Sequence, residues 1–428
     1  RFETQSSKGM TAVGIGFIAT SISFVIIQAF LVGWFRRILG STSNSSSSKE
    51  ENSVAILLCI RGDDPSLRQC IHSIAAQQYS KKKLFVVGDS ESDPGLATVR
   101  SALAEHPDLD ARVIVNPSIK TSCGLKCSNL IEGIRQVGDE FDIVALIDAD
   151  TQPTTSWLTE MVAPFQDPSV LVATGIRWME PCGSNWGTMI RSIWNAAAIV
   201  QMVCYRIPWG GSLAIRRSFI VDADLPAQWA TGFCEDTMLQ NLCKKNGGNV
   251  AVVPTAIISS DEETTMTACI PWISRQLLTT RLHHPKWPFV MGHGFFTLML
   301  STALPLASII SLALGYWNIG SQLAIASMVV QIGNLGLVAW INQAVQKKQQ
   351  QNGETGRSAK RLSTVAFFMG VLMTQFVYPY AMIRTLINRT VHWRQVEYRI
   401  CGKKIEMISY APFVSTLKED NSPETLSL

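Results

Sequence analysis

Apolar positions fall along this chain in two distinct rhythms, and the rhythms divide it. From Met10 to Phe35 the residues are almost all apolar, and the run stops at Arg36 and Arg37. A helix of that length crosses roughly 30 Å of hydrocarbon. No small-residue cleavage site follows, so the run predicts an anchor rather than a signal peptide. Three more runs, Phe289–Leu314, Trp317–Ala344 and Thr364–Ile383, are each long enough to span. The short turn at Gly315–Trp317 predicts a helical hairpin, and Pro305 predicts a kink in its first arm.

Between these runs the rhythm is that of a folded α/β domain. Val54–Ile60, Lys83–Val87, Arg112–Asn116 and Ile143–Ile147 are short apolar runs suited to buried parallel strands. Helix-like stretches, Ser66–Gln78 and Ser128–Gln136, follow the first and third. Alternation of this kind predicts a doubly wound α/β domain, with its ligand crevice at the carboxyl ends of the strands. Met189–Tyr205 is mostly apolar but carries Arg191, Asn195 and Gln201, which suits an interfacial helix. The resulting division is an anchor (1–36), a serine-rich linker (37–52) and a catalytic domain (53–264). An amphipathic interfacial segment (265–288), two or three membrane spans (289–383) and a basic tail (384–428) complete it.

Charge orients these parts. Arg36, Arg37, Lys347, Lys348, Arg357, Lys360 and Arg361 flank the apolar runs, and the positive-inside rule places their side, with the domain, in the cytoplasm. One tension follows. If Thr364–Ile383 crosses fully, the basic tail lands outside, so one downstream segment is expected only to dip into the membrane. The net charge of +4, with no basic stripe interleaved with aromatics, gives no case for nucleic acid. The 428 residues include ten cysteines, scattered without zinc spacing, which suit a reducing compartment and core packing. The 47% hydrophobic content and mean hydropathy of +0.16 agree with a membrane protein.

The sharpest chemical signal is the strand Ile143–Ile147 running into Asp148-Ala149-Asp150. Two carboxylates two residues apart at a strand end suit a hard divalent cation, which takes substrate phosphate oxygens beside them and neutralises a departing diphosphate. Asp89 closes the second strand, where a carboxylate can accept from a base or ribose; Asp93-Pro94-Gly95 reads as turn chemistry. Gly124 and Lys126, with Asn129, open a helix, and Lys126 can meet a phosphate. Gly210 and Gly211 permit close backbone contact with an acceptor. In Cys234-Glu235-Asp236 a carboxylate can take the proton of an attacking hydroxyl; Asp236 is assigned that role and Glu235 a place beside the acceptor. Arg275, Gln276 or Arg281 can hold a diphosphate. The adjacent His283 and His284 are not expected to chelate one ion.

In this order, Asp89, Lys126, Asp148-Ala-Asp150, Gly210-Gly211, Glu235-Asp236 and Arg275-Gln276 resemble lipid-directed family 2 glycosyltransferases of GT-A fold. The sequence is similar to the ceramide glucosyltransferases, family 21, and its stretch Thr390–Ile400 also resembles that group's ending. The resemblance implies a UDP-glucose donor, inversion, a Mg2+ or Mn2+ ion and a lipid acceptor in the membrane. By it, Asp89 and Lys126 serve the nucleotide, Asp148 and Asp150 the sugar and metal, and Asp236 is the base. The chain departs from the family's Gln/Arg-x-x-Arg-Trp pattern. From Arg275 it offers Leu278-Thr279, and from Gln276 it offers Thr279-Thr280, leaving Arg281 or Trp287 as substitutes. Diacylglycerol or hopanoid transfer, or polysaccharide synthesis, are the alternatives.

Overall fold

The computed structural model describes residues 2–40, 52–180, 183, 185–352 and 364–414. Most of the serine-rich linker, the loop holding Arg357, Lys360 and Arg361, and the tail beyond residue 414 lie outside the described residues.

After α1 (Phe2–Gly40) the expected alternation appears as β1 (Val54–Cys59), α2 (Leu67–Ala75), β2 (Lys82–Gly88) and α3 (Pro94–Ala104). It continues with β3 (Ala111–Val115), α4 (Leu125–Val137) and β4 (Ile143–Asp148). The pattern then changes to α5 (Trp157–Val162), β5 (Val170–Met179), α6 (Trp186–Tyr205) and β6 (Ser212–Arg216). Next come α7 (Arg217–Asp222), α8 (Leu225–Trp229), α9 (Leu239–Lys245), β7 (Asn249–Ser260) and α10 (Met266–His283).

The seven strands form one sheet in the order β3-β2-β1-β4-β6-β5-β7. The first four are parallel, whereas β6 runs antiparallel to both β4 and β5. The sheet is therefore mixed, and the fold is the α/β GT-A type that the resemblance implied. Side chains alternate across the pleat, so both faces must be covered. Val54, Ile56, Leu58, Ala145 and Ile147 pack on one face under α2, α3 and α5. Ala55, Leu57, Val144 and Leu146 pack on the other under α4, α8 and α9. Chain order reverses between β1 and β4, which opens the crevice at their carboxyl ends, where Cys59 pairs with Asp148.

Downstream lie α11 (Trp287–Leu298), a π-helical turn (Met299–Ala303), α12 (Leu304–Ala313), α13 (Trp317–Gln351) and α14 (Thr364–Ile387). Among the described residues, four helices are long and apolar enough to cross a membrane: Ala12–Gly40, Trp287–Ala313, Trp317–Gln351 and Val365–Ile387. Apolar side chains such as Phe30, Ile309 and Ile332 point outward from them. Pro305 has no N–H to give the Ser301 carbonyl one turn back. The helix loosens into its π turn there, and Gln331 Nε2 of α13 donates to Ser301 O at 3.3 Å.

The last helix lies differently from the others. The last turn of α13 reaches the sheet, where Gln349 Nε2 donates to Glu180 Oε1 at 2.6 Å and Ser259 Oγ at 2.7 Å. The first half of α14 packs against that end of α13 and the Val32–Leu39 end of α1. Its second half packs on α6, α10 and the start of α11. Both ends of α14 thus lie near the domain, while Gln375 at its middle donates to Gln331 Oε1, partway along α13, at 2.7 Å.

The tail was expected only to be basic, and it folds. A three-stranded antiparallel sheet, β8 (Thr390–Trp393), β9 (Val396–Cys401) and β10 (Lys404–Ser409), packs Val396, Tyr398, Ile405 and Met407 on Leu125, Leu278 and Leu282. Its first hairpin turns through Arg394 and Gln395, both at positive φ (43° and 63°), the left-handed region that costs a non-glycine residue energy.

Candidate active site

β1 ends in Arg61-Gly62-Asp63-Asp64 and β2 in Asp89, the two adjacent strand ends of the crevice. Arg61 Nη1 pairs with Asp89 Oδ2, both side chains being buried. The other oxygen, Asp89 Oδ1, is buried without a hydrogen-bond partner among the described residues. Arg61 also donates to Arg394 O at 2.7 Å and Ala411 O at 2.8 Å. Arg394 returns the contact, donating to Arg61 O at 2.7 Å and to Asp64 Oδ2 at 2.8 Å. The C-terminal sheet is thereby clamped to the loop after β1. Asp93 caps α3, accepting from Gly95 N at 2.8 Å, as turn chemistry requires.

One cation joins the next two strand ends. Lys126, at the start of α4, places Nζ 2.5 Å from Asp148 Oδ1 and 2.6 Å from Glu235 Oε1. The glycines make room for this. A Cβ on Gly210 would stand 1.8 Å from Glu235 Oε1, and one on Gly211 2.5 Å from Asp148 Oδ2. Gly210 and Gly211 therefore serve first the close approach of two of the protein's own carboxylates. Burial pushes Glu235 up to about 6, against the pull of Lys126, while Asp236 and Asp148 add to the rise. Asp236 is also raised, chiefly by burial; Gly210 N, donating to its Oδ2 at 2.9 Å, opposes the rise.

Asp150 sits on the far side of Asp148. Its Oδ2 pairs with Arg177 of β5, and its Oδ1 is buried without a partner among the described residues. Burial raises its pKa, Arg177 opposes, and Asp148 and Asp64 add to the rise. Glu262, just after β7, is pushed up to about 7 by burial and by Asp150. Among the described residues no three His, Cys, Asp or Glu side chains are gathered as a finished metal cage. The bare Asp150 Oδ1 beside Asp148 nevertheless suits a divalent cation whose other ligands are phosphate oxygens and water.

Asp236 and Thr237 open onto a cavity of about 670 Å³. Its walls are apolar stretches of α1, α6, α11, α13 and α14, and Trp209, Arg177 and Gln276 stand at the Asp236 end with them. A separate pocket of about 30 Å³, lined by Arg61, Asp64, Lys126, Asp148, Trp393 and Arg394, lies at the strand ends. The two residues of α10 assigned to the diphosphate part company. Gln276 lines the large apolar cavity, whereas Arg275 lines a third one with Trp393 and Arg394. Neither substitute for the absent Arg-Trp reaches the strand ends: Arg281 donates to Thr385 O, and Trp287 begins α11. A tryptophan and an arginine do arrive there, as Trp393-Arg394 from the tail. His283 accepts from Phe233 N at 3.1 Å, a structural bond.

Sequence reasoning missed Arg61, Asp64, Arg177, Glu262 and Arg394. For Arg61 and Asp64 the signal was present, since they follow an apolar strand just as Asp148 does.

A buried acid facing an apolar cavity, beside carboxylates and a lysine at the ends of a GT-A sheet, belongs to a glycosyltransferase. The family model described as glycosyl transferase family 21 matches residues 16–405, and the chain belongs to that family. It is 28% identical over 112 residues to a ceramide glucosyltransferase of Komagataella phaffii, covering 26% of this chain and 22% of that one. It is 28% identical over 120 residues to the Candida albicans ceramide glucosyltransferase, with the same shares. The matched stretch thus spans about a fifth of the length of these relatives. Among solved structures, it is similar to a Pyrobaculum calidifontis mannosyltransferase in complex with GDP-mannose and Mn2+. That likeness has a TM-score of 0.47 and 14% identity, over 88% of this chain and 99% of that one.

Proposed function

We propose that this chain is an inverting, metal-dependent hexosyltransferase that moves glucose from UDP-glucose to the hydroxyl of a ceramide-like lipid. The observation that carries this reading is the position of Asp236. It faces the large apolar cavity, while the adjacent Glu235 is tied through Lys126 to Asp148 at the strand ends. An acid in that position has a lipid on one side and a nucleotide sugar on the other.

The chemistry follows from the placement. The acceptor's tails lie among α1, α6, α11 and α13, with its hydroxyl at Asp236. Asp236 takes the hydroxyl proton as the oxygen attacks the anomeric carbon. The bond from that carbon to the diphosphate breaks, its electron pair leaves with the diphosphate oxygen, and in-line displacement inverts the centre. Gly210 N holds Asp236 Oδ2 at 2.9 Å and Thr237 N holds Oδ1 at 2.5 Å, which fixes the carboxylate while its remaining lone pairs can take the proton. Asp89, with its free buried oxygen, suits the base, and Lys126 and Arg275 suit the diphosphate. Asp150 and Asp148 would hold Mg2+ or Mn2+, which supplies neutralisation of the leaving diphosphate when bound. Gln276, from its place on the cavity wall, reads the polar part of the acceptor.

The chain sits in the membrane through α1 and the α11–α13 hairpin, with α14 lying along the domain-facing surface rather than crossing. Arg36, Arg37, Lys347 and Lys348 then all face the cytoplasm together with the domain and the tail sheet. That arrangement removes the charge tension, because α14 and the basic tail never leave the domain's side.

The test is a substrate matrix. Purified full-length protein in detergent is offered UDP-glucose, UDP-galactose and GDP-mannose against ceramide and diacylglycerol, with lipid products identified by mass. A glucosylated ceramide is expected. Transfer to diacylglycerol alone would replace the acceptor, and a sugar polymer would replace the reaction.

A further inference from the structure

A third cavity, of about 240 Å³, lies between α10, the end of α14 and the tail sheet, and of the residues lining it the proposed reaction uses only Arg275. Arg275, Arg384 and Arg394 line it together with His392, Asn388 and Thr390. Among the described residues no aspartate or glutamate lines it. Arg394 is matched from outside by Asp64, at 2.8 Å. Arg275 and Arg384 have no ion pair among the described residues, and Arg275 Nη2 is buried with no hydrogen-bond partner there. A basic residue in the last turn of a helix, such as Arg384, is ordinarily explained by the helix dipole. Arg275 has no such reason, since it stands in the middle of α10.

Arg275 feels the like charge of Arg394, which lines the same cavity, and a buried N–H without an acceptor costs about 1–3 kcal/mol. A fold keeps both only where something negative completes them. We propose that this cavity is a phosphate-binding site, filled by a phosphate group that Arg275 and Arg384 grip from two helices, with Asn388 donating from the end of α14. Guanidinium forks suit phosphate oxygens in two-point contact. Burial and then the charges of Arg394 and Arg177 push Arg275 down to about 10, against the pull of Asp150. Two sources have this chemistry. One is the headgroup of an anionic phospholipid, since α14 is an apolar helix ending at the cavity. The other is the diphosphate of the donor, since Trp393 and Arg394 line both this cavity and the strand-end pocket.

The experiment measures binding and needs no turnover. Full-length protein in detergent is titrated with short-chain phosphatidic acid, short-chain phosphatidylcholine and UDP, as wild type, Arg384→Gln and Asn388→Asp. Melting without ligand checks that each variant folds. Loss of about tenfold or more in phosphatidic acid affinity in both variants, with phosphatidylcholine weak throughout, supports the site and names the headgroup. The same loss for UDP supports the site and names the diphosphate. Affinities for both ligands unmoved in both variants, or a wild type that binds neither, would overturn the proposal. A chain that binds phosphatidic acid through Arg384 yet transfers no sugar would leave this site standing and remove the proposed function.

Discussion

Gly210 gives its backbone N–H to Asp236 Oδ2 at 2.9 Å, so the acid is aimed by a residue with no side chain to block the substrate. An asparagine at 236 can keep that bond through its own oxygen, giving up the one that Asp236 Oδ1 accepts from Thr237 N. It cannot accept a proton from an attacking hydroxyl. Asp236→Asn should therefore fold and bind UDP as the wild type does, while transfer falls by about 10²–10⁴. Initial rates and UDP titration on the same preparation check both halves. Near-normal turnover would remove Asp236 as the base.

Lys126 lies between Asp148 and Glu235, and the three are largely shielded from water. Replacing it with methionine leaves two carboxylates facing each other without a cation. Breaking a buried pair by removing one partner costs about 3–5 kcal/mol. Lys126→Met should lower the melting temperature clearly, and adding Glu235→Gln should recover part of the loss because one of the stranded charges is gone. Double-mutant melting curves measure this. Equal melting of Lys126→Met and wild type would mean the cluster is solvated and not a linked unit.

How far the sequence reveals this arrangement differs from residue to residue. Asp148 and Asp150 were legible because an apolar strand announces its own end. Arg177 was not, since a lone arginine in the ten-residue strand Val170–Met179 carries no sign of facing Asp150 across the sheet. In the tail, Val396, Tyr398 and Ile400 alternate as a strand should, but the intervening charges Glu397 and Arg399 made the stretch read as merely basic. Arg275 and Gln276 show a different limit. Neighbours on a helix point about 100° apart, and only knowledge of two cavities, one on each side of α10, tells which residue serves which.

Glu262 gives a pH signature. Its carboxyl is raised from about 4.5 in an open chain to about 7 in the fold, by burial and by Asp150. The folded protein therefore holds this proton more tightly than the unfolded chain. As pH rises from about 4.5 to 7 the unfolded chain ionises first, and stability falls across that window before levelling. Glu262→Gln cannot ionise, so this part of the decline should disappear. Melting temperatures at a series of pH values, in chelator, test it. Parallel wild-type and variant profiles would show that Glu262 ionises in the fold as it does in water.

Arg177 and a divalent cation would compete for the same acid. Arg177 holds Asp150 Oδ2 and lies over the Trp209 ring, 5.6 Å from its centre. A metal ion on Asp150 weakens that pairing, since two cations then share one carboxylate. Arg177→Gln should therefore bind Mn2+ more tightly, by about tenfold or more, than the wild type. Wild-type tryptophan fluorescence should change as Mn2+ is added, and the change should be smaller in the variant, where no guanidinium leaves Trp209. Excess chelator should stop transfer in both proteins, and Mn2+ should restore it. Full transfer in excess chelator would mean that the cationic side chains neutralise the diphosphate by themselves, with Arg177 permanently paired to Asp150 where the metal was placed.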